Sequence, residues 1–198
     1  MEEIVPGVMH WSAVHPNTGL RAHSYFHIAS TSLIDPIAPD EGFGWFERHR
    51  PRRALLTNRH HLRSAPEFAA AFGCTIHCHR AGLHEFDGGP DVQPMEPGDT
   101  FEPGITVLEF GAITPEEVVL AIDAGPGALA FADGLIRRSD GTLGFVGDEL
   151  LGDDPEAVKR DLHAALRRVL EEQEFDALLL AHGKPRASGG RAELARFA

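Results

Sequence analysis

The chain has 198 residues, 42% of them hydrophobic, and a net charge of −12 with histidines neutral. That size and apolar content suffice for one domain with a substantial core, while the acidity works against nucleic acid as a partner, whose phosphates need clustered Lys and Arg. No run is long and apolar enough to span a bilayer, and Met1-Glu2-Glu3 leads into no signal-type apolar core, so a soluble cytoplasmic protein with no membrane partner is expected.

In chain order, Ser24 to His27 and Ser32 to Ile34 read as paired strands with a turn at Ala29-Ser30. Pro36 closes the second, because proline cannot continue a central ladder. Asp40 through His49, carrying Phe43, Trp45 and Phe46, is expected to be helical, and Arg53 to Thr57 is the next strand. Ser64-Ala65-Pro66-Glu67 predicts a helix start, with Ser64 and Glu67 forming a capping box, and the helix ends at Gly73. Cys74 to His77 is β-like; the only other cysteine, Cys78, follows on the turn, a placement that suits two reduced thiols better than a disulfide. Ile105 to Phe110, Val118 to Ile122 and Ala128 to Phe131 read as strands between Gly and Pro signals. Asp154 to Gln173 is a long amphipathic helix, with Val158, Leu162, Ala165, Leu166, Val169 and Leu170 at helical spacing. Ala177 to Leu180 is a buried strand, and a short helix follows Gly190. There is no repeat and no linker, so residues 1–198 form a single domain, an α/β sandwich with its helices outside.

Polar residues directly follow apolar strands at four places: Asn58 to Arg63, His77 to His79, Asp133 and His182. Strand ends are where loops converge on a fixed backbone. Neutral imidazoles and carboxylates gathered from several strands can hold a metal, provided one coordination position stays open for water. Arg59 and Arg63 belong to another chemistry. Arginine cannot bind a cation, but it grips a carboxylate or phosphate in bidentate fashion, so either residue facing the cleft would bind an anion; otherwise both pair with acidic residues at the surface. His77 and His79 share one strand face, and His79, nearer the strand end, is a replacement ligand for the site.

Taken in order, Ser24-Tyr25-Phe26-His27, Leu33-Ile34-Asp35-Pro36, Leu55-Leu56-Thr57, Gly111-Ala112-Ile113-Thr114-Pro115, Phe131-Ala132-Asp133 and Leu180-Ala181-His182-Gly183 resemble the metallo-β-lactamase superfamily, which includes glyoxalase II, over nearly the whole chain. The resemblance implies a four-layer αβ/βα sandwich. It also implies metal ligands, and here the chain departs from the pattern. The Thr-His-x-His-x-Asp-His motif can be laid on it without a gap, placing Asn58 and His60 at the first two histidines. It can also be laid with two residues deleted, placing His60 at the Asp and His61 at the last His. Ile113 stands where the family has a metal-binding histidine, whereas Asp133 and His182 keep the bridging carboxylate and the late histidine. Asp35 would be a structural carboxylate near the site.

The resemblance thus implies a divergent metallo-hydrolase with a degenerate site. His60, His61, Asp133 and His182 are the metal ligands it leaves, enough for one zinc or other divalent ion, and Asp133 is also the catalytic group that orients water. The substrate would be a small molecule with an ester, thioester, amide or phosphoester bond. The alternative is a metal-free binding or scaffold module that kept the fold and lost catalysis, a reading that Ile113 and the altered Asn58 to Arg63 loop favour.

Overall fold

The computed structural model describes all residues from Met1 to Ala198. Its first sheet has seven strands in chain order, β1 (Glu2–Val5), β2 (Val8–Val14), β3 (Arg21–His27), β4 (Ser32–Ile34), β5 (Arg53–Leu56), β6 (Thr75–His79) and β7 (Val92–Met95). The first four are joined by short turns and pair antiparallel. From β4 onward the pairs are parallel, since longer crossovers, among them helix α1 (Ala65–Phe72), return the chain to the same end. The second sheet comprises β8 (Thr100–Phe101), β9 (Ile105–Glu109), β10 (Val118–Ile122), β11 (Ala128–Phe131) and, after a small ribbon of β12 (Ile136–Arg137) and β13 (Leu143–Gly144), β14 (Ala177–Leu180). β14 lies parallel beside β11, reached through helix α2 (Pro155–Glu172), and helix α3 (Gly190–Phe197) ends the chain.

Strand periodicity sorts the side chains into three cores. Leu55 of β5, Leu120 of β10, and Ala177 and Leu179 of β14 point between the sheets, together with Tyr25, Ile34 and Met95. Their neighbours along the same strands face outward. Ala54 and Leu56 meet Ala65 and Phe68 of α1 on one side. Leu178 and Leu180 meet Leu162, Leu166 and Val169 of α2 on the other. Three apolar cores between four layers make an αβ/βα sandwich, the expected architecture.

Several local expectations fail, each for a physical reason. Asp40–His49 is not a helix. Gly42 adopts φ +77°, and the segment is a run of turns closed by bonds such as Phe46 N to Phe43 O at 2.9 Å and His49 N to Phe46 O at 3.2 Å. Its aromatics are anchors instead, with Phe46 edge-on to Phe68 at 4.9 Å between centroids. Ser64 makes no side-chain cap on α1, because its backbone, φ −96° and ψ 14°, is not the extended conformation that aims a capping oxygen at the first turn. The strand predicted to stop at His77 continues to His79. β1 and β2 were not foreseen, and β3 begins three residues before the predicted strand, at Arg21.

Candidate metal centre

The parallel pairing of β11 with β14 sets Phe131 opposite Leu180. Asp133 and His182 each lie two residues past that pair, so the register brings them to the same point although 49 positions separate them in the chain (182 minus 133). The opposite sheet delivers the third group. β4 and β5 are also parallel, and after them come Asp35 and the 3-10 turn Arg59–His61. The two sheets are tied at this end. Tyr25 Oη donates to the Leu180 carbonyl at 2.8 Å, Val118 N to that of Thr57 at 3.0 Å, and His23 N to that of Ala181 at 3.0 Å.

At the junction, His61, Asp133 and His182 offer one donor atom each, all within 4.8 Å of one another. His182 Nε2 is 3.1 Å from Asp133 Oδ1 and 3.3 Å from His61 Nε2, and His61 Nε2 is 3.5 Å from the same Asp133 oxygen. A tetrahedral ion with ligand bonds of about 2.0–2.1 Å separates its ligand atoms by roughly 3.3 Å, so this donor set fits one such ion. His61 reaches it in a fixed orientation: its Nδ1 lies 3.0 Å from Asp35 Oδ2. Asp35 is itself held by Thr57, whose backbone N–H donates at 2.8 Å and whose hydroxyl donates at 2.5 Å. A carboxylate behind a ligating imidazole sets its tautomer and ring plane.

Charges within the cluster are strongly coupled. Burial alone would lower His61, and Arg63 pushes the same way, but Asp35 and Asp133 together outweigh both and raise its pKa to about 9. Burial works to raise Asp133, yet hydrogen bonds from His182 and His61 overcome it and hold this carboxyl far below the usual range. Without a cation, these shifts favour a charged His61 held between the Asp35 and Asp133 carboxylates.

The other side of Asp133 is closed. Asn58 Nδ2 donates to its Oδ2 at 3.2 Å, and the Asn58 side-chain oxygen accepts from His60 N at 2.9 Å. An amide thus occupies the Asp133 oxygen that faces away from His61 and His182. Ile113 supplies no donor either and packs against the outer core around α2. Glu117, fully buried, accepts from Gly134 N at 2.6 Å. Gly134 is obligatory, since a Cβ there would lie 2.3 Å from the Phe110 ring.

The remaining sequence-predicted residues are distributed as follows. His60 is exposed and stands outside the three-donor cluster, on the wall of the cavity beside it. His79 is on β6, accepting from Ala81 N at 3.1 Å and 3.3 Å from Glu96 Oε2, and is not a member of the three-donor cluster. Arg59 does not face the cavity. It pairs with the buried Glu116 and lies 3.7 Å from Glu85. Arg63 does line the cavity. Of the two ways to lay the motif on this loop, the one with two residues deleted sets His61, rather than His60, beside Asp133 and His182.

His15, Thr18 and Leu20 complete the cavity wall from the β2–β3 hairpin. Nothing in the sequence marked His15, because its proximity depends on the antiparallel register that carries the hairpin tip over residues far along the chain.

The sequence matches no protein-family model and no curated protein. Solved structures do match. A metallo-β-lactamase family protein from Thermus thermophilus superposes with a TM-score of 0.68 at 14% identity, over 98% of this chain and 79% of that one. A β-lactamase domain protein from Burkholderia ambifaria gives 0.68 at 18% identity, over 98% and 74%. The chain has the metallo-β-lactamase fold. It is a divergent version: a protein solved in a di-iron-bound form superposes with a TM-score of 0.62 at 22% identity, over 92% of this chain and 90% of that one. No helix of this metallo-β-lactamase-fold chain is long and apolar enough to cross a membrane.

Proposed function

We propose that the chain is a hydrolase that works with one divalent ion, zinc or another, held by His61, Asp133 and His182. The observation that supports this reading is the convergence of three donors from three strand ends at tetrahedral spacing, with His61 oriented from behind by Asp35. A divalent ion there would polarise a carbonyl or phosphoryl oxygen and make a coordinated water acidic enough to ionise near neutral pH. Three protein ligands leave a position open, as catalytic sites of this kind require. A second ion beside Asp133 would have to displace the Asn58 amide from its Oδ2, and Ile113 offers it no donor.

The chain's own groups have distinct tasks. Asp133, its Oδ2 held by Asn58, keeps Oδ1 toward the cluster and orients an attacking water there. Asp35 keeps His61 Nε2, rather than Nδ1, on the reacting side. The cavity of about 190 Å³ limits the reacting part of the substrate to a small ester, thioester, amide or phosphoester.

A second reading has its own support. The donors also hydrogen-bond one another, and Asn58 satisfies the remaining oxygen, so the cluster is complete as a metal-free clamp between the sheets. Metal analysis of protein purified without chelator or nickel resin separates the two. Near-stoichiometric zinc, iron or manganese that is lost in Asp133→Ala and His182→Ala supports the hydrolase. Absence of metal, with a melting temperature unmoved by added zinc, supports the binding module.

A further inference from the structure

We propose that Arg63 binds a carboxylate carried by the small molecule in this cavity, so that the substrate class is an acid whose scissile bond lies beside its carboxylate. The inference rests on the hydrolase reading for the word substrate, though not for the binding itself. Arg63 lines the cavity with His61, Asp133 and His182. Its Nη1 is spent on two backbone carbonyls, those of His23 at 2.9 Å and Asp35 at 2.8 Å. Nη2 is fully buried and has no partner, and Nε bonds nothing in the protein. The Nε–Nη2 edge is the one that grips a carboxylate side-on with two parallel bonds.

No carboxylate of the protein hydrogen-bonds to this guanidinium. The two nearby acids are engaged elsewhere: Asp35 by Thr57 and His61, Asp133 by Asn58, His61 and His182. Both acids act on Arg63 through space, yet neither hydrogen-bonds to it, so a buried N–H edge is left without an acceptor. A water could occupy one N–H, but a carboxylate supplies two acceptors at the spacing of this edge. The backbone bears a cost for keeping arginine here, because φ of +42° is a conformation in which a side chain costs roughly 1–2 kcal/mol. Leu20 and Ala22 on the facing wall offer an apolar surface to the body of the ligand.

Benzoate and benzamide share a shape and differ in charge, so they isolate this contact. They are titrated calorimetrically into the full chain after chelation, which leaves the carboxylate no ion to bind. Benzoate is expected to bind at least tenfold more tightly than benzamide. That preference should vanish in Arg63→Met and persist only in part in Arg63→Lys, which keeps the charge without the fork. Equal affinities in the wild type, or a preference that survives Arg63→Met, overturn the proposal. If Arg63→Met fails to fold, the wild-type ratio still decides, together with the Arg63 Nε–H resonance, which must move on adding benzoate and not on adding benzamide. Zinc uptake by the same wild-type protein, measured without ligand, reports the hydrolase reading separately. A benzoate preference without zinc uptake keeps the anion site and removes the hydrolase; zinc uptake with no preference does the reverse.

Discussion

Asp35 Oδ2 lies 3.0 Å from His61 Nδ1, and both residues are buried. This contact decides which nitrogen of the His61 ring faces Asp133 and His182, and it links β4 to the loop after β5. Asp35→Asn keeps the shape but replaces an oxygen or its charge at that nitrogen. Zinc affinity is expected to fall by about 10–100-fold, the usual cost of losing a carboxylate behind a ligating imidazole. Competition with a chromophoric chelator measures it; an unchanged affinity would show that His61 needs no such support.

Zinc and protons should compete at His61. Its pKa is raised to about 9, so the imidazole is protonated at about pH 7.5 in the metal-free protein, and a ligating imidazole must be neutral. Uptake of zinc at that pH should therefore release about one proton from this ring. Calorimetry in buffers of differing ionisation enthalpy counts it, and His61→Gln should abolish that release.

The same shift has a stability consequence in the metal-free state. The raised His61 pKa adds stability below about 6.5, its unfolded value, and that stability is lost as pH rises toward about 9. The loss is up to about 3 kcal/mol, at about 1.4 kcal/mol per pKa unit. Urea midpoints of chelated protein should fall across that window in the wild type and fall less in His61→Gln.

Glu117 acts at lower pH. Burial, reinforced by the charge of Asp133, raises its pKa from 4.5 to about 8, against the opposing bond from Gly134 N–H. A carboxyl raised in the folded state holds a proton that the unfolded chain has released. Its contribution is full below pH 4.5 and drains away up to about pH 8. Glu117→Gln, a neutral group of the same shape, should be more stable than wild type at about pH 8 by at least about 1 kcal/mol, with no such gain at about pH 4. Denaturation of both proteins at the two pH values tests this.

Arg59 and Glu116 hold together the two loops that would carry the missing ligands. Glu116 is fully buried, and Arg59 is its cation. Arg59→Ala leaves an unpaired buried carboxylate and is expected to cost about 3–5 kcal/mol. Arg59→Ala combined with Glu116→Gln should recover much of it, as a urea double-mutant cycle would read out.

Sequence alone determined an α/β sandwich with its helices outside, because apolar periodicity depends only on neighbouring residues; the four layers were legible only through the family resemblance. The continuous apolar runs Ala54-Leu55-Leu56 and Ala177 to Leu180 encode strands with a core on both faces, and the spacing from Val158 to Leu170 encodes the covering helix. Asp133 and His182 were also legible, since each follows a strand directly. Where local signals conflicted, the reading failed: the aromatics of 40–49 look helical, but Gly42 and the packing of Phe46 on Phe68 favour turns. The membership and wiring of the centre were decided only by tertiary structure. Parallel register between β11 and β14 sets Asp133 beside His182, and the loop after β5 brings His61, not His60, to meet them. The same packing turns Arg59 to Glu116, hangs His15 over the cavity and leaves Arg63 Nη2 without a hydrogen-bond partner. These are contacts between residues tens of positions apart, and pairing register, which no local pattern encodes, is what fixes them.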